Sequence, residues 1–450
     1  MTRDLTQGSV SRQLASVTVP MYLTMLFQSM FSIIDSMMVG NLISAEALGS
    51  VSSCGSITFL FSYVANGYAV GYKIIVGQQF GAKKYKEMRE AIYTAVCSMA
   101  GISLICTGIG VPLSTTFLKL MDTVPALLPG ASVYLRWYFV GIATTVFTSG
   151  INNIFYALGE TRLPMYFQIS QSILHVIMNY VLIQYGRLGI LGPAISGIIT
   201  RTAVLIPLAI ILLKRMKDFP AASRFFSKDA FRNITAQAIP ACLANTINSI
   251  GNLAVARLVN SFGAYVVTGN SIVGNITNIV YLFSYATANA AGSFASQNFG
   301  AHYVRRIRRC ALVAVLINAL YGVLILVLFQ FFGGQIAGAF MGADTDPALY
   351  EEILAYSNDY LMTLSYFFAV YCCGHVVNEL LRSVGKTKIT VWANIIMIIV
   401  RVGVSYGLAS VIGEGSIYWG LIITWFATYG YTAAYFFLGR WIPHYKVLKK

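Results

Sequence analysis

Apolar residues in this chain come in long blocks rather than in alternation. Examples run over 92–112, 195–213, 311–332 and 389–412. A helix needs roughly 20 apolar residues to cross a bilayer, and each block is long enough. Short polar stretches rich in Gly, Lys and Arg separate the blocks. The pattern predicts twelve spans, at 14–39, 47–72, 90–113, 131–158, 164–185, 189–213, 234–259, 264–295, 309–332, 350–381, 389–411 and 416–438. In hydrocarbon a helix satisfies its own backbone hydrogen bonds, so the expected fold class is an all-α polytopic membrane protein. The first apolar stretch continues into a full span, so no cleavable signal peptide is expected.

The polar stretches repeat. Gln78-Gln79-Phe80-Gly81-Ala82 follows the second span, and Gln297-Asn298-Phe299-Gly300-Ala301 follows the eighth, 219 residues later. Basic runs follow both. Pro20 pairs with Pro240, Leu48-Gly49 with Thr268-Gly269, and Gly189 with Gly415. Leu158-Gly159-Glu160-Thr161-Arg162 pairs with Val384-Gly385-Lys386-Thr387-Lys388. Six spans per copy give both halves the same orientation, which predicts a parallel duplication about a pseudo-two-fold axis along the membrane normal. The expected organisation is a six-helix bundle over 1–213, a basic cytoplasmic linker over 214–233 and a second six-helix bundle over 234–450. Two such bundles can flank a central cleft and rock to open it to either side. The glycines at 81 and 300 are expected to permit a tight exit from the helix, with the cations complementing its C-terminus.

Composition agrees with the span pattern. Hydrophobic residues make up 57% of the chain and charged residues only 10%, against about 25% in soluble domains. Mean hydropathy is +0.69. The net charge of +15 would fit nucleic acid if it were clustered on one surface. Instead the cations fall in alternate loops: Lys83, Lys84, Lys86 and Arg89; Arg162; the 214–232 stretch; Arg305, Arg306, Arg308 and Arg309; Arg382, Lys386 and Lys388. The opposite loops carry mainly Asp122, Asp344, Asp346, Glu351, Glu352 and Glu414, with Lys119 and Arg187 as exceptions. The positive-inside rule then places both termini in the cytoplasm. The basic charge reads as topology and as contact with anionic lipid, and no nucleic-acid partner is expected. The seven cysteines form no Cys-x-x-Cys pair and read as small buried apolar residues.

Taken together, Pro20, Ile34-Asp35-Ser36-Met37-Met38-Val39-Gly40, Leu48-Gly49, the two Gln-x-Phe-Gly-Ala loops, the two Gly-x-Thr-(Arg/Lys) loops and Arg401 with Tyr406 resemble the multidrug and toxic compound extrusion (MATE) family. The likeness runs through essentially the whole chain and is closer to prokaryotic drug exporters than to eukaryotic members. It implies a cation-coupled antiporter of the inner membrane, in which inward H⁺ or Na⁺ drives export of small amphipathic, often cationic, compounds. A two-bundle chain of this kind can work as a monomer. The major facilitator superfamily, another twelve-span fold, usually carries a Gly-x-x-x-Asp-Arg-type motif after span 2, which 78–89 lacks.

Within that frame Asp35 is the leading candidate for ion coupling. It is an intramembrane carboxylate expected about one turn from the outer end of span 1, and burial makes protonation of such a group a workable switch. His175 and Asn179 lie one turn apart on one face of span 5. One family branch has Asn and Asp at these two positions, so the second acid is missing here. His175 either shares a proton with Asp35 or holds a neighbouring helix. Gln28 shares the face of Asp35. Asn152, Asn153 and Thr200 match residue types that the resemblance places in the N-terminal cavity, where they either orient Asp35, supply oxygens to Na⁺ at Asp35, or simply join helices. Asn245, Asn248 and Asn252 form a polar stripe on span 7 expected to face the cleft, and Asn270, Asn275 and Asn278 add amides in span 8. Some branches carry a Glu in span 7 and an acid in span 10. Here span 7 has none, Glu379 is explained by an i,i+3 pair with Arg382, and Asp359 lies near the outer end. Coupling is therefore expected in the N-terminal half. Met25, Met30, Met37 and Met38 suit either a promiscuous pocket or ordinary packing.

No phosphate-binding Gly-x-x-x-x-Gly-Lys-(Ser/Thr) loop, His-Glu-x-x-His motif or nucleophile–base pair is present, so neither an enzyme nor a cofactor is expected. The histidines at 175, 302, 375 and 444 are scattered. A channel would need charged rings or a filter-like loop. A lipid-linked oligosaccharide flippase of the same wider superfamily is the alternative, kept open by Arg136, Arg201, Arg257 and Arg401 as phosphate-binding cations.

Overall fold

The computed structural model describes residues 3–341 and 347–442. Asp344, Asp346, His444 and the basic C-terminal end lie outside the described residues. Fourteen helices, and no strand, occur among the described residues: α1 Val10–Leu42, α2 Ala45–Ser53, α3 Gly55–Gly81, α4 Tyr85–Leu120, α5 Leu128–Val140, α6 Ile142–Ala157, α7 Arg162–Gln184, α8 Leu191–Met216, α9 Lys228–Ser261, α10 Ala264–Gly300, α11 Val304–Gly338, α12 Pro347–Ser383, α13 Thr387–Ile412 and α14 Gly415–Phe437. Twelve membrane-spanning elements result, because α2–α3 and α5–α6 each form one span with a break. Ser44 caps the start of α2 by accepting from the Ala47 N–H at 3.0 Å. At the first break stands Cys54, whose Sγ donates to the Ser50 and Ala131 carbonyls at 3.4 Å. At the second, Gly141 leaves room for Ile198 of α8, whose Cγ1 would be 2.3 Å from any Cβ there.

Two compact units emerge from the packing. Unit 1 comprises Val19–Cys242 with the residues up to Leu5, and unit 2 comprises Thr6–Thr18 with the chain from Leu243 onward. The divisions fall next to Pro20 in α1 and Pro240 in α9, the paired prolines. The first turns of α1 thus belong to unit 2, where the Arg306 guanidinium donates to the Gly8 carbonyl at 3.0 Å and to Gln13 Oε1 at 3.4 Å. The first turns of α9 belong to unit 1. Gly67 and Gly71 of α3 let its backbone close on them, so that a Cβ at Gly67 would be 2.9 Å from the Cys242 nitrogen and one at Gly71 2.8 Å from the Ile234 carbonyl.

Both units pack through small residues. In unit 1, Gly110 of α4 admits the ring of Phe139 from α5, and Gly150 of α6 admits Met99 from α4. In unit 2, Gly322 of α11 lies against Ala369 of α12, Gly374 against Tyr429, and Gly420 against Ser405. Without a hydrophobic drive between helices in lipid, such close approach supplies the dispersion that holds a bundle.

The paired loops adopt one geometry. After α3 the Lys83 N–H donates to the Phe80 carbonyl and the Lys84 N–H to that of Gln79, both at 3.0 Å. After α10 the His302 N–H donates to Phe299 and the Tyr303 N–H to Asn298, at 3.1 and 2.8 Å. These are Schellman turns. The left-handed residue is Lys83 (φ 59°) in one and His302 (φ 65°) in the other, not the glycine expected to make the exit. Gly81 and Gly300 remain helical, because the two crossing hydrogen bonds pin the position two residues later. The loops at Gly159 (φ 73°) and Gly385 (φ 84°) repeat the turn with glycine at the left-handed position.

Candidate functional site

Asp35 lies seven residues before the end of α1, about two turns from it, because Gly40, Asn41 and Leu42 continue the helix until Ser44 starts the next. The span is thus a turn longer than the hydropathy pattern indicates, and Asp35 correspondingly deeper. Its carboxylate is 26% exposed and Oδ1 is the focus of the site. His175 Nε2 lies 3.2 Å from it. Asn179 Nδ2, one turn along α7, donates to the same oxygen. Behind the imidazole, Ser196 Oγ of α8 is 2.8 Å from His175 Nδ1. The consistent tautomer for a neutral ring has Nε2–H donating to Asp35 and Nδ1 accepting from Ser196. His175 is 17% exposed and Asn179 fully buried. Asn179 Oδ1 is buried without a hydrogen-bond partner, an oriented acceptor beside the carboxylate.

Arg201 joins the same locality. Its Nη1 and the His175 Cε1 lie 3.5 and 3.8 Å from where a Cβ would stand on Gly197. Tyr134 of α5 is within electrostatic range of both Asp35 and Arg201, and Tyr138 within range of Arg201. Sequence reasoning singled out Arg201 without a partner and missed Ser196, Tyr134 and Tyr138. Ser196 lies four residues before Thr200 on one face of α8, which is the spacing that could have drawn it in.

The remaining cavity candidates are placed as follows. Thr200 is buried and donates to the Ser196 carbonyl at 2.8 Å, one step behind the histidine. Gln28 is exposed on α1. In α6, Asn153 donates to the Ser149 carbonyl at 3.0 Å, and Asn152 has a buried Oδ1 without a partner. In unit 2, Asn248 and Asn252 are exposed and Asn245 half-buried on α9. Glu379 pairs with Arg382 at 3.4 Å, and Asp359 accepts from the Tyr418 hydroxyl at 2.6 Å. No group of three or more metal-ligating His, Cys, Asp or Glu side chains occurs among the described residues.

Twelve spans in two duplicated sets of six, with an ionisable cluster inside one unit, define a polytopic membrane transporter. A family model described as MatE matches residues 20–181 and again 240–407, and the chain belongs to that family, the multidrug and toxic compound extrusion transporters. It is 27% identical over 440 residues to the probable multidrug resistance protein YpnP of Bacillus subtilis (strain 168), covering 97% of each chain. It is 23% identical to the probable multidrug resistance protein YoeA of the same organism, covering 92% of this chain and 89% of the relative. Its fold is that of a crystal structure of MATE in complex with MaL6, with a TM-score of 0.88, 18% identity and 97% of each chain covered.

Proposed function

We propose that this transporter is a proton-coupled antiporter that exports amphipathic organic compounds, with the coupling site at Asp35, His175 and Asn179. The observation that carries this reading is the convergence of an imidazole and a carboxamide on one intramembrane carboxylate oxygen. Ionised, Asp35 accepts from both. Loaded with a proton, it becomes a donor and needs an acceptor. A rotation of the Asn179 amide would present the Oδ1 that now lacks one. His175 offers the second route, since Ser196 can accept once Nδ1 is protonated. Each proton state thus has its own hydrogen-bond pattern, and a pattern that suits one conformation better shifts the equilibrium by that difference. A single carboxylate with an imidazole fits a proton better than a Na⁺ cage, which takes more oxygens.

The two six-helix halves, 1–213 and 234–450 joined by 214–233, would alternate access between the two sides of the cytoplasmic membrane, with both termini in the cytoplasm. The chain would act as a monomer among anionic lipids.

The test is transport of a fluorescent lipophilic cation into proteoliposomes under an imposed pH gradient and, separately, a Na⁺ gradient. Wild type is expected to respond to the pH gradient and Asp35→Asn to neither. Accumulation by Asp35→Asn would sink the assignment. No response of the folded wild type to either gradient would move the reading to a flippase of lipid-linked substrates.

A further inference from the structure

Unit 2 holds an intramembrane cation, Arg401, with no ion-pair partner among the described residues. Arg401 lies near the middle of α13, eleven residues from its C-terminal end. On that helix it shares a face with Ile398, which meets Gly251 of α9, and Ser405, which meets Gly420 of α14. The guanidinium is therefore directed into the interior of the unit. Its Nε is buried and has no hydrogen-bond partner. Of the acids in α12, Asp359 meets Tyr418 and Glu379 meets Arg382, while Glu351 and Glu352 are exposed near its start. Charged side chains inside a membrane are costly and are retained where they pair or meet a ligand.

Two tyrosines stand near Arg401. Tyr281 of α10 and Tyr360 of α12 lie within its electrostatic range. Tyr281 packs against Tyr371 with ring centroids 4.4 Å apart, and Tyr371 against Trp425 at 5.1 Å. Tyr360 packs on Tyr418 at 5.2 Å. Tyrosine hydroxyls can donate to an anion alongside a guanidinium, and the rings offer faces to an aromatic body. Arginine suits a planar carboxylate or a phosphate because its donors form a fork.

We propose that Arg401, with Tyr281 and Tyr360, forms a binding subsite in unit 2 for the anionic group, carboxylate or phosphate, of an amphipathic aromatic molecule. The carried compounds would then include acids and zwitterions as well as cations. The subsite concerns binding alone and stands whether or not Asp35 couples transport.

The experiment measures equilibrium binding to the full chain in nanodiscs by calorimetry, with no gradient present, using 1-naphthaleneacetate, 1-naphthyl phosphate and the neutral 1-naphthaleneacetamide. Wild type is expected to bind the two anions about tenfold or more tighter than the amide. Arg401→Gln should bind all three alike, and Arg401→Lys should keep part of the preference. Equal binding of anion and amide by wild type, or an undiminished preference in Arg401→Gln, would overturn the proposal. Thermal unfolding of both variants separates binding from folding. If Arg401→Gln does not fold, the reduced preference of Arg401→Lys and the wild-type ratio still decide. Nanodiscs of phosphatidylcholine alone and with added phosphatidylglycerol identify the source of the anion. Suppression of the preference by phosphatidylglycerol assigns the subsite to a lipid headgroup, and an unchanged preference assigns it to a free substrate.

Discussion

Unit 1 and unit 2 repeat a framework and differ in their interior charge. The turns after α3 and α10 share their hydrogen bonds and their left-handed residue, and Gly159 and Gly385 share theirs. Inside, unit 1 gathers Asp35, His175, Asn179 and Ser196 within hydrogen-bonding distance. Unit 2 has Arg401 among tyrosines. Backbone turns tolerate little change, since a lost crossing bond frays the helix end. An interior side chain is free to diverge once its neighbours can accommodate it. Duplication has therefore kept the architecture and let the two interiors diverge in their charged groups.

Several changes would break or sharpen that contrast. The largest effect is expected from Asp35→Asn, which should reduce gradient-driven transport to background in proteoliposomes, while Asp359→Asn, at an acid in a span of unit 2, keeps most of it. Equal loss in both would remove the division of labour. His175→Gln comes next. It should lower gradient-driven transport about tenfold in the same proteoliposomes. Gly110→Val tests the framework, because its side chain would meet the Phe139 ring at about the 2.2 Å of a Cβ. It should cost about 1–3 kcal/mol in reversible unfolding. The smallest effect is a gain. Lys83→Gly relieves a left-handed lysine and should stabilise unit 1 by about 1 kcal/mol, seen as a raised melting temperature.

The sequence made the twelve spans legible because a bilayer fixes the length of a helix and the polar loops repeat in register. It pointed to Asp35, His175 and Asn179 because an acid in a span is costly and residues i and i+4 share a helix face. Ser196 was hidden, since nothing in one sequence tells which face of α8 meets α7. The left-handed Lys83 and His302 were hidden too. A lysine or histidine enters that region here because the turn's own crossing hydrogen bonds fix it, whereas propensity points to the neighbouring glycine. The isolation of Arg401 is visible only once the partners of Asp359 and Glu379 are known.

The assignment of Thr6–Thr18 to unit 2 bears on how the chain is made. Gly8 meets Arg306, a residue 298 positions later. At synthesis rates of about 5–20 residues per second, the start of α1 waits on the order of 15–60 seconds for its partner to leave the ribosome. Through that interval the first turns of α1 are without their final neighbours. Birth order and packing order therefore differ in this protein. The last contacts of its first helix belong to the end of biogenesis.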